Sequence, residues 1–394
     1  MLNNLGSTYR NHLSPSRLLQ HFTKSKDMPQ TASRGAMTST AAKSAGSSTD
    51  SNAIYGDYVV YRSPSDNEIV YLEYDPSNLP PPPSDSYTRF VCISDTHARS
   101  FPVPDGDVLL HTGDLTNLGF VEEFKKMMEW IYGMPHKVKI MIAGNHDLPL
   151  HSEWFKGNFP SWRRPKHHDV EKEYENIIEL LKGPKAKKAN LVYLQNEEYS
   201  FRAKKDGRTW SVYGSPWSPE FGGWAFGYEP EDAPPIISKF PKTDILLTHG
   251  PPYDILDRTT RGDKPGCPTL LDALQTGQVR PRLHVFGHIH EAHGAHIHSW
   301  STGNVIGSVQ NSPDEGVDEN AANSGNSPAI QPGEQTDNQG QGDMDTEEGT
   351  DTGVTAFVNA AAWPMGLRRS NYQDIGPPQF GGPGFRPVVV DLRD

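Results

Sequence analysis

The sequence lacks the features of disulfide-stabilised and membrane-spanning proteins. It has two cysteines, Cys92 and Cys267, in 394 residues. A disulfide framework is therefore excluded, and a reducing compartment is expected. No apolar stretch approaches the ~20 residues that a transmembrane helix needs. Hydrophobic residues make up only 35% of the chain, which is low for a fully folded protein, so we expect part of the length to be disordered.

Positive charge is also scarce, and the net charge of -12 is unevenly distributed. Residues 1–49 carry six Lys or Arg and one acid, whereas residues 301–353 carry eleven Asp or Glu and no Lys or Arg. The rest of the chain is closer to balance and has no basic patch. This distribution argues against a nucleic-acid partner held by phosphate contacts.

The composition suggests a tail, one domain and an insert. We assign residues 1–54 to a disordered or targeting tail, and residues 55–394 to a domain interrupted by an acidic low-complexity insert at 301–353. The tail is rich in Ser and Thr and poor in acids, which fits either disorder or a mitochondrial transit peptide. We therefore expect a cytoplasmic protein, with a mitochondrial location as the alternative. The insert is expected to be disordered and dispensable for chemistry.

Apolar runs of strand length recur along the domain. They are Tyr55–Arg62, Phe90–Ser94, Val108–His111, Val138–Ala143, Leu191–Leu194, Trp210–Tyr213, Ile245–Thr248, Leu283–Phe286, Thr355–Asn359 and Val388–Leu392. Helical patterns lie between them at Glu122–Tyr132 and Val170–Leu181, the second with Asp169 as a candidate N-cap and Gly183 just past its end. This alternation predicts an α/β fold with parallel pairing at first. A hairpin from Ala295–Trp300 into Thr355–Asn359 would make the sheet system mixed.

Five polar blocks follow such apolar runs in a fixed order. They are Asp95-Thr96-His97, Gly113-Asp114, Gly144-Asn145-His146-Asp147, Thr248-His249-Gly250 and Gly287-His288-Ile289-His290. Functional groups collect at the carboxyl ends of strands in α/β sheets. The blocks supply carboxylates, imidazoles and one amide, which together can bind a pair of divalent metal ions. One such block is a weak signal, but five in order predict a metal-dependent hydrolase.

This series of motifs resembles the signature of the calcineurin-like metallophosphoesterases. The resemblance covers about residues 88–300 plus the C-terminal strands. It implies a two-sheet mixed β-sandwich flanked by helices, a four-layer α/β/β/α fold. Carried over position by position, it implies first-metal ligands at Asp95, His97 and His290, and second-metal ligands at Asn145, His249 and His288. Asp114 resembles the bridging carboxylate. His146 resembles the histidine that binds no metal and protonates the leaving oxygen or holds the phosphate.

The resemblance also indicates which branch of the family is expected, and the donor types indicate which divalent metals. Mixed nitrogen and oxygen donors suit Mn, Fe or Zn better than Ca, and we favour Mn. Ser/Thr protein phosphatases of this fold carry an Arg soon after Gly113-Asp114, and purple acid phosphatases carry a Tyr at the position of Asn117, so both branches are disfavoured. Longer stretches, such as Thr248-His249-Gly250-Pro251-Pro252, resemble the small metallophosphoesterase-domain proteins of animals and fungi. That subgroup is associated with hydrolysis of phosphodiesters and cyclic nucleotides.

The sequence thus predicts a dimetal phosphodiesterase acting on small molecules, with cyclic nucleotides among the candidates, through attack by a metal-bound hydroxide. Two alternatives stay open: a phosphomonoesterase of the same fold and a non-enzymatic nucleotide-binding regulator. The expected partner is a small phosphodiester or nucleotide, with no nucleic acid and no membrane. The oligomeric state is not determined by the sequence.

Other residues resemble functional groups less convincingly. His296 and His298 imitate the Gly-His-Ile-His motif, but the preceding Gly is missing and they fall within the next predicted strand, so we do not assign them as ligands. His111 is assigned either to the support of a ligand or to plain strand packing. An aromatic cluster could stack on a base, although plain packing is the favoured interpretation. Its members are Trp217, Phe221, Trp224, Phe226 and Tyr228.

Overall fold

The computed structural model of the chain describes residues 52–55, 58–158, 169–307, 353–362 and 385–394. The strands are β1 Asn52–Tyr55, β2 Tyr58–Arg62, β3 Glu68–Glu73, β4 Tyr87–Ile93, β5 Val108–Thr112, β6 Val138–Ile142, β7 Leu191–Tyr193, β8 Glu197–Phe201, β9 Trp210–Ser215, β10 Ser218–Pro219, β11 Gly227–Tyr228, β12 Ile245–Thr248, β13 Leu283–Phe286, β14 Gly294–Ser299, β15 Val305–Gly307, β16 Val354–Asn359 and β17 Val388–Arg393. The helices are α1 Val121–Tyr132, α2 Ser152–Asn158, α3 Val170–Lys182, α4 Pro184–Lys188, α5 Ala233–Ile237 and α6 Pro268–Gln275. None of the helices in these ranges is long and apolar enough to cross a membrane.

The strands form two large sheets. The first has the order β1-β2-β3-β17-β4-β5-β6-β7, with β4 to β7 parallel and the other pairs antiparallel. The second has the order β15-β14-β16-β13-β12-β9-β8, with β9, β12, β13 and β16 parallel. Its remaining pairs, including β14 with β16, are antiparallel. Both sheets are mixed, as the sequence predicted.

The core lies in three layers because central strands are buried on both faces. On β4, Phe90 and Cys92 point between the two sheets, whereas Val91 and Ile93 point to the outer face under α1 and α3. Trp210 of β9 meets Phe90 edge-on across the inner layer, with ring centroids 5.3 Å apart. Helices α5 and α6 cover the outer face of the second sheet. The predicted four-layer α/β/β/α architecture is therefore confirmed.

Two buried ion pairs tie strands together. Arg89 of β4 donates two hydrogen bonds of 2.7 Å to Asp391 of β17 within the first sheet. Arg282, just before β13, donates to Glu68 of β3 at 2.9 and 3.1 Å, which links the second sheet to the first. Arg282 lies at the amino-terminal end of β13, so this inter-sheet contact is at the opposite end of that strand from the predicted His288 block.

Most predicted elements are present, with local differences. The strand predicted near Tyr55–Arg62 is present as β2 from Tyr58 onwards, whereas Tyr55 ends a separate strand, β1, which pairs antiparallel with β2. The predicted hairpin between Ala295–Trp300 and Thr355–Asn359 is confirmed by the antiparallel pair of β14 and β16. Asp169 caps α3, since its side chain accepts from Lys172 N–H at 3.0 Å.

The tail and the insert fall mostly outside the described residues. Of the predicted tail 1–54, the structure describes only positions 52–54, which belong to β1. Of the predicted insert 301–353, it describes positions 301–307 and 353, and the short strand β15 pairs with β14 there. Disorder of these two segments stays a prediction.

Candidate metal centre

The five polar blocks lie together at one end of the molecule, with contributions from both sheets. Asp95, Asp114 and Asn145 follow β4, β5 and β6 of the first sheet. His249 follows β12, and His288 follows β13, in the second sheet. Parallel strands present their carboxyl ends at one edge, so the edges of the two sheets face each other across the site.

The four residues predicted to surround the first metal form one cluster. Ligand atoms of Asp95, His97, Asp114 and His290 all lie within 4.8 Å of one another. His290 Nε2 is 3.1 Å from Asp95 Oδ1 and 3.3 Å from His97 Nε2. His97 Nε2 is 3.8 Å from Asp114 Oδ2. Two carboxylates and two imidazoles thus converge on one point.

The residues predicted for the second metal converge beside the first cluster. His249 Nε2 and His288 Nδ1 lie 2.7 and 2.8 Å from Asn145 Oδ1. His249 Nε2 is also 3.5 Å from Asp114 Oδ1. Asp114 therefore directs one carboxylate oxygen towards each cluster, which is the arrangement that a bridging ligand requires.

The donor chemistry of the site fits divalent cations. His249 Nδ1–H donates to the Thr112 carbonyl at 2.9 Å, which leaves a lone pair on Nε2 of the neutral ring. That lone pair faces the Asn145 oxygen, another acceptor, at 2.7 Å. A cation between the two would turn this repulsive contact into a shared ligation. The residues present therefore fit the paired ions that the family implies.

Buried negative charge supports the same conclusion. Asp95, Asp114 and Asp147 are all 1% exposed or less, and within the described ranges no Lys or Arg forms an ion pair with them. Burial raises the pKa of Asp114, and the nearby carboxylates of Asp95 and Asp147 raise it further. Bound cations would offset this repulsion between like charges.

The backbone is strained where it carries the donors. Asp95, His97, Asp114 and His288 have φ between 45 and 66°, the left-handed region that side chains other than glycine disfavour. Glycine makes room beside them: a Cβ on Gly287 would lie 2.1 Å from Asp95 Oδ2. The glycines of the motifs therefore allow the backbone and the ligands to approach closely.

His146 lies against the first cluster, but its ring is hydrogen-bonded to a backbone carbonyl. Its Nδ1–H donates to the Asn117 carbonyl at 2.8 Å, and its backbone N–H donates to Asp114 Oδ1 at 2.7 Å. Its ring meets His97 edge-on, with centroids 4.7 Å apart. Burial lowers the pKa of His146 to about 4. Because Nδ1 is used by the Asn117 carbonyl, Nε2 is the nitrogen left for a substrate.

The polar residues beneath the site hold the motif loops together. Asp147 accepts from the backbone N–H groups of Leu115, Thr116 and Gly144 at 2.9–3.3 Å. His111 accepts from Gly113 N–H at Nδ1, so its Nε2–H faces the Thr96 hydroxyl at 3.0 Å. Burial lowers the pKa of His111 to about 3, which keeps the ring neutral. His111 thus supports the Asp95-Thr96-His97 loop.

Part of the aromatic cluster borders the candidate site, whereas the sequence favoured plain packing for all of it. Trp224 stacks on the His146 ring, with centroids 4.0 Å apart and planes at 27°. Phe221 is 62% exposed and its ring centroid lies 6.1 Å from that of His288. Trp217 and Phe226, by contrast, pack against His151. The cluster therefore divides into a packed part and a part that borders the predicted ligands.

The two histidines that imitate the last motif lie elsewhere. His296 and His298 are in β14, where His296 packs against Phe357 and His298 against Trp300. They do not belong to the four-residue cluster of possible metal ligands found among the described residues. The prediction that they are not ligands agrees with this placement.

The two-sheet sandwich, with carboxylates and imidazoles gathered at the strand ends, agrees with the fold and the class of site that the sequence motifs predicted. The family model of the calcineurin-like phosphoesterases matches residues 88–292. The chain belongs to the calcineurin-like phosphoesterase family.

Relatives in animals share this region. The chain is 42% identical over 233 residues to Metallophosphoesterase domain-containing protein 1 of Homo sapiens, and equally to that of Mus musculus. Each match covers 56% of this chain and 65% of the relative, so it spans less than two thirds of those proteins. A UPF0046 protein of Caenorhabditis elegans is 34% identical over 235 residues, covering 56% of this chain and 74% of that protein.

Proposed function

We propose that this phosphoesterase is a phosphodiesterase acting on small organic phosphodiesters, including those that carry a nucleobase. The observation that carries the proposal is the juxtaposition of a complete predicted ligand set, His146 and the exposed ring of Phe221. The ligand set provides for metal-assisted hydrolysis. Phe221 offers an apolar surface beside His288, where an organic group on the phosphate could pack.

The proposed metal binding uses the two clusters described above. Asp95, His97 and His290 would hold one ion, Asn145, His249 and His288 the other, and Asp114 both. When bound, two divalent ions neutralise phosphoryl oxygens and make water a stronger nucleophile at neutral pH. Mixed nitrogen and oxygen donors favour Mn, Fe or Zn, and we propose Mn.

His146 would serve the leaving group. Water supplies the oxygen that bonds to phosphorus, the P–O bond to one organic group breaks, and the departing oxygen needs a proton. To donate that proton, His146 must be protonated on both nitrogens, with Nδ1–H bonded to the Asn117 carbonyl at 2.8 Å and Nε2–H facing the departing oxygen. Burial alone favours the neutral ring, so the proposal requires the negative charge of the bound phosphate to raise the pKa of His146. General acid catalysis of this kind contributes ~10²–10⁴ in rate.

The test is turnover of bis(p-nitrophenyl) phosphate by stripped protein given Mn, with bound metal counted in parallel. Asp114→Asn should lose metal and activity together, because one carboxylate oxygen faces each cluster. His146→Ala should keep both metals and lose a factor of about 10²–10⁴. His298→Ala, which removes a histidine from β14, is the matched control and should leave turnover unchanged.

The other outcomes discriminate between the alternatives. Turnover of p-nitrophenyl phosphate without turnover of the diester would favour a phosphomonoesterase. Two bound metals with neither activity would favour a nucleotide-binding regulator. Retained dimetal occupancy in Asp114→Asn would count against the bridging role.

The role proposed for Phe221 has its own test. Phe221→Ala should raise KM for aryl and nucleoside diesters by about 5–150-fold, since a base stacked on an aromatic ring is worth ~1–3 kcal/mol. The KM for dimethyl phosphate, which has no ring, should not change. Equal effects on both substrates would contradict stacking on Phe221.

A further inference from the structure

The loop between Asp114 and α1 is held by one carboxylate. Glu123, in the first turn of α1, accepts four hydrogen bonds from this loop. Its Oε1 accepts from Asn117 N–H at 3.3 Å and from Asn117 Nδ2 at 2.9 Å. Its Oε2 accepts from the N–H groups of Leu118 and Phe120 at 3.2 and 3.1 Å.

A helix cap explains only part of this arrangement. The bond from Phe120 N–H is the ordinary contact between the third residue of a helix and its N-cap. The bonds from Asn117 and Leu118 lie outside the helix, and two of them fix both the backbone and the side chain of Asn117. Glu123 therefore sets the position of a residue that reaches the site.

Asn117 in turn forms hydrogen bonds with two histidines of the site. Its carbonyl accepts the Nδ1–H of His146 at 2.8 Å, and its Nδ2 donates to the His97 carbonyl at 3.0 Å. The carbonyl holds the proton on Nδ1 and fixes the plane of the ring, so Nε2 is directed away from the loop. Trp224 supports one face of the ring but cannot fix its rotation within the plane of stacking.

We propose that Glu123 is a positioning residue for His146. It acts through Asn117, whose carbonyl orients the imidazole towards the leaving oxygen. The inference rests on the proposed function in one respect, that His146 serves the leaving group. The hydrogen-bonded connection from Glu123 to His146 does not depend on the identity of the substrate.

The variants separate this role from loss of a charge at the helix end. Glu123→Ala removes all four loop contacts. Glu122→Ala is the matched control, because Glu122 carries the same charge in the same turn and is 81% exposed, and its one ion pair among the described residues is with Lys125 on the surface. Glu123→Gln keeps one oxygen, which can still accept both bonds from Asn117, whereas its NH2 group cannot accept from the N–H groups of Leu118 and Phe120.

The kinetic readout is the dependence on the leaving group. Bis(p-nitrophenyl) phosphate releases a weak base that needs little protonation, whereas diphenyl phosphate releases a stronger base. Glu123→Ala should lower kcat for diphenyl phosphate about tenfold more than kcat for the nitrophenyl ester, a part of the ~10²–10⁴ that general acid catalysis supplies. Glu123→Gln should restore most of that difference, and Glu122→Ala should match the wild-type protein on both substrates.

The outcomes distinguish this inference from the proposed function. If His146→Ala shows the leaving-group dependence and Glu123→Ala loses the same factor on both substrates, Glu123 is only a helix cap and the inference is overturned. If His146→Ala shows no such dependence, the role of His146 in the proposed function fails instead.

A second measurement keeps the inference testable without turnover. In ¹⁵N-histidine NMR spectra, the Nδ1 proton of His146 should exchange with water at least about tenfold faster in Glu123→Ala than in Glu122→Ala, because its acceptor is no longer held in place. Equal exchange rates in the two variants would overturn the positioning role, whatever the substrate proves to be.

Discussion

Replacing Arg282 by Met should strongly destabilise the sandwich. Arg282 and Glu68 are 7% and 4% exposed at their side chains, and the guanidinium also donates to the carbonyls of Arg393 and Asn67 at 2.7 and 3.3 Å. Removing one partner of a buried ion pair leaves an uncompensated charge and costs about 3–5 kcal/mol. For a domain of this size, that corresponds to a fall in Tm of about 5–10 °C.

The assay is thermal and urea denaturation at pH 7.5, with Arg62→Met as the matched control. Arg62 forms an exposed ion pair with Asp66 at 3.5 Å, and such pairs contribute about 0–1 kcal/mol. The double variant Arg282→Met with Glu68→Leu should recover most of the loss, because it removes the stranded carboxylate. A loss below 1 kcal/mol in Arg282→Met, or a double variant no more stable than the single one, would refute the reasoning.

Three further predictions concern the glycines, the buried histidines and the metals. Gly287→Ala should reduce metal content, since the added Cβ would lie 2.1 Å from Asp95 Oδ2. Gly157→Ala is the control and should bind metal normally, because no atom lies within 4 Å of the added Cβ. Equal metal content in the two variants would contradict the packing argument. Burial lowers the pKa of His296 to about 4, so the unfolded chain binds a proton below about pH 6.5 that the folded chain does not, and stability falls as the pH drops from 6.5 to 4. His296→Phe should remove about 3 kcal/mol of that acid-induced loss in denaturation curves, and an unchanged pH dependence would count against it. Removing the metals with a chelator should lower Tm. If the free metal concentration was 100 times Kd, the loss of stability should be about 2.7 kcal/mol. A Tm that does not change when metal is added or removed would contradict binding to the folded state.

The sequence predicted central strands well because burial on both faces makes them continuous apolar runs. Val108–His111 was predicted and β5 is Val108–Thr112, buried throughout. The edge strand β8 was missed, since four of its five residues are exposed and it has neither an apolar run nor alternation. β17 lies between β3 and β4, and that pairing joins residues about 300 positions apart, which no local pattern encodes.

In the candidate site, too, some features could be predicted from the sequence and others could not. The candidate ligands could be predicted because their motifs stand at the ends of apolar runs, where the chain must turn. That Asp114 presents one oxygen to each cluster depends on a left-handed backbone, which its sequence neighbours do not reveal. The stacking of Trp224 on His146 depends on how two loops meet in space. The four hydrogen bonds to Glu123 depend on how the preceding loop folds back onto the first turn of α1.

Because the predicted ligands come from both sheets, ions bound to them would become part of the architecture. Asp95 and Asn145 belong to the first sheet, and His249 and His288 to the second. Bound ions would therefore link the two sheets at the end of the sandwich that carries the site, while Arg282 and Glu68 join the sheets at the other end. Release of the ions would then require the two sheets to separate at that end, so the rate of metal exchange should follow the rate of this local opening. Hydrogen exchange in β12 and β13 should report the same opening as the loss of metal.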